Sequence, residues 1–428
     1  MKHFCLFLLL LLPSCLSLIA SSPTNTGPRT FYVTSNGSDN NDGLAPERPW
    51  KTIAKVNLMT FQPGDRVQLE GILTDAILGN PGYGTPQQPI IITGPSSGRA
   101  RLLGIELSNA KHVIFRNLEI TNPALYAKGV RTTPNGQNPV QHILFENLYL
   151  HDLREGVVIS GATHSDITFK DTIIEATRTD GVLLNDAAGD RFSFIGGAIK
   201  NTGNVPPGWS VHGVYASGGH GHLFDGVQFF DNKNGWSISM RRGHITIRNC
   251  RFQNAYMINN NNEDEGSTNP YTGSPSKNLS YLIYRNVFTG PGTALFQSNN
   301  NDQGIDDPGN RWVVFNNMFM NTSIEFTHDL SKFYSIYVRN NLFSNSSVLI
   351  NKTINPGREH VFSHNGWWNS LPEIGSENLK ADPVLNNQGQ VTSEAYRNRG
   401  TKLIAPGLSL ETPSDFLGSA PDIGHSER

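Results

Sequence analysis

The chain has 428 residues and a formal net charge of −2, from 34 Lys and Arg against 36 Asp and Glu. That balance argues against a nucleic-acid-binding surface and against a polybasic membrane patch. Only 16% of residues are charged while glycine numbers 42, a turn-rich composition that excludes a long-helix protein.

Residues 1–20, MKHFCLFLLLLLPSCLSLIA, carry a short basic start, an apolar run and small residues behind it. They are expected to be a secretory signal, which makes the protein extracellular. Leu12-Pro13-Ser14-Cys15 loosely matches a lipoprotein cleavage box, so anchoring at Cys15 is the alternative. No later stretch is long and apolar enough to span a bilayer. Cys5 and Cys15 fall in the signal, leaving Cys250 alone. A secreted chain with one thiol has no disulfide framework and must be held by its core. N-x-S/T sequons occur at Asn36, Asn278, Asn321, Asn345 and Asn351.

Residues 21–428 are expected to form one domain. Its cap and first coils occupy 28–110, its main coils 111–370, and an irregular C-terminal cap 371–428. In the N-terminal cap, an amphipathic helix is expected around Thr52–Met59, ahead of the turn Pro63-Gly64-Asp65. The preceding loop SNGSDNNDG (35–43) is read as a capping turn, with cation binding as the alternative.

From His112 the chain repeats itself. HVIFRNLEI (112), HILFENLYL (142), DITFKDTII (166), RFSFIGGAI (191) and HLFDGVQFF (222) share one pattern. HITIRNCRF (244), YLIYRNVF (281), RWVVFNNMF (311), IYVRNNLF (336) and VFSHNGWW (361) continue it. Each is a short alternating strand, a polar or glycine corner, then a second apolar pair. The aligned corners are Asn117, Asn147, Asp171, Gly196, Gly226, Asn249, Asn286, Asn317, Asn341 and Asn365. They recur about every 24 residues, with longer intervals where loops are inserted. A further strand follows: GVVIS from Gly156, GVLLN from Gly181, GVYAS from Gly213 and GWSIS from Gly235. Short strands with no helix between them predict an all-β, right-handed parallel β-helix of about ten coils. Its corner asparagines would form side-chain ladders.

The opening FYVTSNGSDNNDGLAPERPWKTIAKVN followed by QPGDRVQLEG resembles a broad group of secreted right-handed β-helix proteins. That group includes polysaccharide lyases and mannuronan epimerase-like proteins. The resemblance implies the fold, but one such scaffold serves many activities.

The residues before the second-strand glycines are Glu155, Asp180, His212 and Asn234. The repeat predicts them as one column, with neighbouring backbones about 5 Å apart. Alternation turns Tyr215 outward, with Asn185 and Arg241 on the same face and Lys233 and Arg178 at its turn. The loop before His212 carries Trp209, suited to overhang a groove and stack on a sugar. This set fits removal of the carbon-bound proton beside a uronate carboxylate. Arg241 or Lys233 would neutralise the carboxylate, His212 would be the base, and Tyr215 the acid or alternate base. Asp180 would orient His212, or bind calcium with Asn185 and Asp186. Glu155, Asn185, Trp209, Asn234 and Arg178 would bind substrate. The bland alternative for His212 is a backbone-bonded turn residue.

The leading expectation is a β-eliminating lyase of an acidic polysaccharide, acting as a monomer. A C5-epimerase sharing the same proton abstraction and a non-catalytic glycan binder remain alternatives. Glycoside hydrolysis ranks below these. Polygalacturonase-type enzymes carry TDG and GHG, and this chain has Thr179-Asp180-Gly181 and Gly219-His220-Gly221. However, Ile199, Lys200 and Asn201 stand where that family's paired aspartates would be, and hydrolysis needs two carboxyls. The glutamates and aspartate of NNNNEDEG (259–266) form a second candidate cation or carboxylate cluster, or an exposed loop.

Overall fold

The structure, a computed structural model, describes residues 27–133, 139–185, 189–206, 211–240, 244–254, 256–261, 280–298, 311–326, 335–350, 359–370, 374–386, 390–411 and 416–424. Its strands stack into three long sheets, here A, B and C, of 14, 12 and 10 strands. Each coil visits them in that order. In one, Val140–Glu146 lies in A, Tyr149–His151 in B and Glu155–Ile159 in C. Every pairing between coils is parallel, from Thr30–Thr34 at one end to Gly366–Trp368 at the other. The molecule is a right-handed parallel β-helix, the hand that parallel crossovers adopt.

Alternation decides what fills the rod. Phe115, Phe145, Phe169 and Phe194 point inward from sheet A and stack at 4.5–6.0 Å. From sheet B, Phe229, Phe252, Phe288, Phe319, Phe343 and Trp367 stack at 4.4–5.0 Å. Identical neighbours recur because each side chain meets its equivalent one strand spacing away, about 4.8 Å.

The corner between A and B needs a left-handed residue. It is Asn117, Asn147, Asp171, Gly196, Gly226 and Asn249, as the repeat predicts. In the next four coils it is instead Arg285, Asn316, Asn340 and His364. The aligned asparagines Asn286, Asn317, Asn341 and Asn365 therefore sit one position later, inside the rod and in line with Cys250. There they form the expected ladder. The Nδ2 groups of Asn286, Asn317 and Asn341 donate to the next Oδ1 at 3.0, 3.0 and 3.2 Å. Each Oδ1 also takes a backbone N–H from the coil before, at 2.8–3.0 Å. All four are fully buried. Cys250 is a buried free thiol, pushed up to about 12 chiefly by burial.

At the N-terminal end, Thr52 caps a helix over Ile53–Asn57 that buries Ile53 and Val56. Asp39 in the preceding loop accepts from the N–H groups of Lys51 and Thr52 and from the Thr52 hydroxyl. The loop is thus a capping turn. Arg29 holds the buried Asp65 at 2.6 Å. Burial raises the Asp65 carboxyl, but hydrogen bonds from Arg29 and Gln62 outweigh it and leave it below the usual value.

The tail does more than close the far end. Ile404, Ala405, Leu410 and Phe416 pack on the outer side of sheet A, against Val313, Phe315 and Tyr337. Val391, Tyr396 and Ile423 pack on the outer side of sheet B, against Val287, Met318 and Leu342. Neither cluster includes a residue of sheet C. Among the described residues, no helix is long and apolar enough to cross a membrane.

Candidate functional site

The entry to sheet C brings the expected column together. The N–H groups of Gly156, Gly181 and Gly213 donate to the carbonyls of Asp180, His212 and Trp236 on the following coils. Glu155, Asp180 and His212 are therefore vertical neighbours, with Lys128 beneath them, in register with Glu155. The glycines are required. A Cβ on Gly156, Gly181 or Gly213 would lie 2.6 Å from the carbonyl oxygen of the next coil.

Asn234 does not belong to the column; its place is taken by Trp236. Two more residues separate sheets B and C in that coil than the glycine alignment allows, so Ser237 rather than Gly235 lines up with Gly213. Asn234 instead pins the loop ahead of His212, donating to Gly203 O and Val205 O at 2.8 Å each. Trp236 is partly exposed and packs against Tyr256 with ring centroids 5.1 Å apart. Tyr256 is 54% exposed.

The column is electrostatically tense. Glu155 is 6% exposed. Lys128 lies 3.8 Å and Arg154 3.4 Å from its two oxygens. Asp180 Oδ1 accepts the His212 backbone N–H at 2.6 Å. Burial pushes the Asp180 carboxyl up to about 7, with the charge of Glu155 adding to the rise against that hydrogen bond. Like-charge neighbours in a desolvated site are how one carboxyl stays protonated near neutrality.

His212 is 5% exposed, and its Nδ1 accepts the Trp236 N–H at 3.0 Å. That bond places the ring proton of the neutral imidazole on Nε2. Gly235 makes the contact possible, since a Cβ there would lie 2.7 Å from Nδ1. His164 and His222 use Nδ1 alike, accepting from Val140 and Phe192 of the coil before. Their Nε2 atoms meet the carbonyls of Thr133 and Gly218, so both are structural staples. His212 thus shares the backbone-bonded geometry of its bland alternative, and a base at Nδ1 is not what this arrangement offers. Tyr215 stacks on the His212 ring at 5.4 Å, in register with Leu183 on one side and, through the same two-residue slip, with Ser239 on the other.

The remaining expected residues scatter. Lys233 turns to the sheet B side, where its Nζ donates to Asn204 Oδ1 at 2.6 Å. Arg178 is an exposed turn residue whose backbone N–H donates to Leu153 O. Asn185 lies past the other end of the strand Val182–Leu184 and donates to Ser160 Oγ at 2.9 Å. Five residue steps of extended chain separate it from Asp180, roughly 16 Å at the usual rise, so the two cannot share a cation. Among the described residues no group of three His, Cys, Asp or Glu is placed to hold a metal. Arg241, Trp209, Asp186 and most of 259–266 lie outside the described residues.

The TDG and GHG motifs do not meet, because Asp180 precedes sheet C and His220 follows it. Ile199 is core, Lys200 pairs with Glu175 at 3.1 Å, and Asn201 is a left-handed turn residue. The second carboxyl beside Asp180 comes from Glu155, one coil earlier. Sequence reasoning missed Lys128, Arg154 and Tyr256. Lys128-Gly129 does precede a strand as Glu155-Gly156 does, a signal that would have extended the column downward.

No protein-family model matches the chain, and no curated protein matches it in sequence. Solved structures do match in fold. Pectate lyase Pel9A is 18% identical over 94% of this chain and 96% of that one, with a TM-score of 0.53. A complex of XylC with xylose is 10% identical over 83% and 87%, with a TM-score of 0.51. The lacto-N-biosidase of Eubacterium ramulus is 13% identical over 82% and 68%, at 0.49.

Proposed function

We propose that the chain is a secreted carbohydrate-active enzyme that cleaves an acidic, uronate-containing polysaccharide by β-elimination on the face of sheet C. The observation that carries this reading is the Glu155–Asp180–His212 column, in which one carboxyl titrates near neutrality. In the proposed step, Asp180 takes the C5 proton beside the uronate carboxylate, a C4=C5 double bond forms as the C4–O bond breaks, and the departing oxygen takes up a proton. Its affinity for that proton suits the task, because a base works best near the ambient pH. Arg154 and Lys128, which flank Glu155, take the neutralising role expected of Arg241 or Lys233. The Nε2–H of His212 serves as a neutral donor to developing negative charge, with Tyr215 stacked behind it. Trp236 and Tyr256 offer sugar-stacking faces further along the rod. The pectate lyase likeness supports the scaffold for this reading.

A second reading, glycoside hydrolysis, is favoured by the adjacency of the Glu155 carboxyl to that of Asp180, which is raised to about 7. One assay separates the two. Polygalacturonate and alginate, with and without added calcium, are followed at the ultraviolet absorbance of unsaturated uronides and by reducing-end release. The lyase reading expects both signals together, and Asp180→Asn should lower both by about 100-fold or more. Reducing ends without ultraviolet absorbance would replace it with hydrolysis. Full activity in Asp180→Asn would remove the column from either mechanism.

A further inference from the structure

Around the corner from the column, on the outer side of sheet B, lies a groove of about 660 Å³ that no step above uses. One wall is a register column, Glu175, Lys200, Phe230 and Gln253 on successive coils. Asp231, Asn232, Lys233 and Asn254 are among the residues that line the groove on the side toward sheet C. Phe230 is the unusual member, a half-buried ring on an outer face whose neighbours are ammonium, carboxylate and amide groups. Lys200 lies 5.6 Å from that ring and 3.1 Å from Glu175. Lys233 is held toward Asn204, at the start of the loop that leads to His212.

An aromatic ring among amides, two ammonium groups, one of them paired with Glu175, and the Asp231 carboxylate has the chemistry that recognises a sugar carrying a charge. The ring covers the C–H face of a pyranose, amides exchange hydrogen bonds with hydroxyls, and lysines meet a carboxylate. We infer that this groove is a second saccharide-binding site, selective for acidic sugars, outside the proposed catalytic column. It would hold one segment of a polymer while another lies across Asp180, raising effective concentration at the column.

The test uses the full chain carrying Asp180→Asn, so that polymer survives the measurement. Affinity electrophoresis with polygalacturonate, alginate and neutral xylan compares this protein with versions that add Phe230→Ala or the pair Lys200→Ala and Lys233→Ala. Matched melting temperatures establish that the added changes leave the fold intact. Expected is retardation by at least one acidic polymer, weakened about tenfold or more by either addition, with little retardation by xylan. Unchanged retardation in both added variants would overturn the site, as would equal retardation by xylan or no retardation by any polymer. Binding that depends on Phe230, with no turnover of any polymer by the native protein carrying Asp180, would uphold the groove while sinking the proposed enzyme.

Discussion

Asp180 and His222 give the protein opposite pH dependences. The folded-state affinity of Asp180 for a proton, near pH 7, lies above the ordinary 3.8. Its contribution to stability is therefore greatest below 3.8 and is lost as pH rises through about 7. His222 is depressed from 6.5 to about 4, chiefly by burial. Its contribution is full above 6.5 and lost as pH falls through about 4. Calorimetric melting of Asp180→Asn across this range should show a gain over the native protein above pH 7 that disappears toward pH 4. An offset of the same size at both ends would mean that Asp180 keeps an ordinary carboxyl affinity. The acid-side loss should persist in Asp180→Asn, because His222 is untouched. Sequence spacing placed Glu155, Asp180 and His212 correctly, since each precedes an inward glycine. It did not reveal which nitrogen of His212 is engaged, because that bond comes from a different coil.

At the level of the strand and its corner, asparagine plays two parts that a sequence pattern cannot separate. It tolerates the left-handed bend, as at Asn117 and Asn147, and it builds the inner ladder, as at Asn317 and Asn341. The doublets Asn316-Asn317 and Asn340-Asn341 do both in succession, so aligning on asparagine slips the last four coils by one position. Leu118 and Leu148 fill the inner position in earlier coils, so an apolar residue can stand there when its neighbours are apolar too. Asn317→Ala has no such support. It strands the N–H and amide of Asn286 and the carbonyl of Ile283 in the core. Each such group costs about 1–3 kcal/mol, so the urea midpoint should fall sharply without change in the proposed activity at low urea. A midpoint within error of the native protein would show that the ladder adds nothing. The slip at Trp236 has a different origin. Extra residues between Phe230 and Ile238 make room for the contact with His212, a demand that repeat spacing does not encode.

Across the whole molecule, sequence composition made the tail's irregularity legible but not its reach. Its apolar residues are few and dispersed, and they gain meaning only against the outer residues of sheets A and B. Ile404 is fully buried there. Ile404→Asp should detach the tail from sheet A, exposing Val313, Phe315 and Tyr337. Increased binding of a hydrophobic dye below the melting transition would report this, and native-level dye binding would contradict it.

The three bends of each coil carry a last implication. Since each turn of the rod passes through the same three sheets and pairs in parallel with the next, a whole turn could be added among those the tail does not cover while the register within the others is kept. Such a rod could lengthen or shorten by whole turns away from Asp180 while the few turns around it keep their register. Size and chemistry would evolve separately, as a ruler may be cut without moving its first marks.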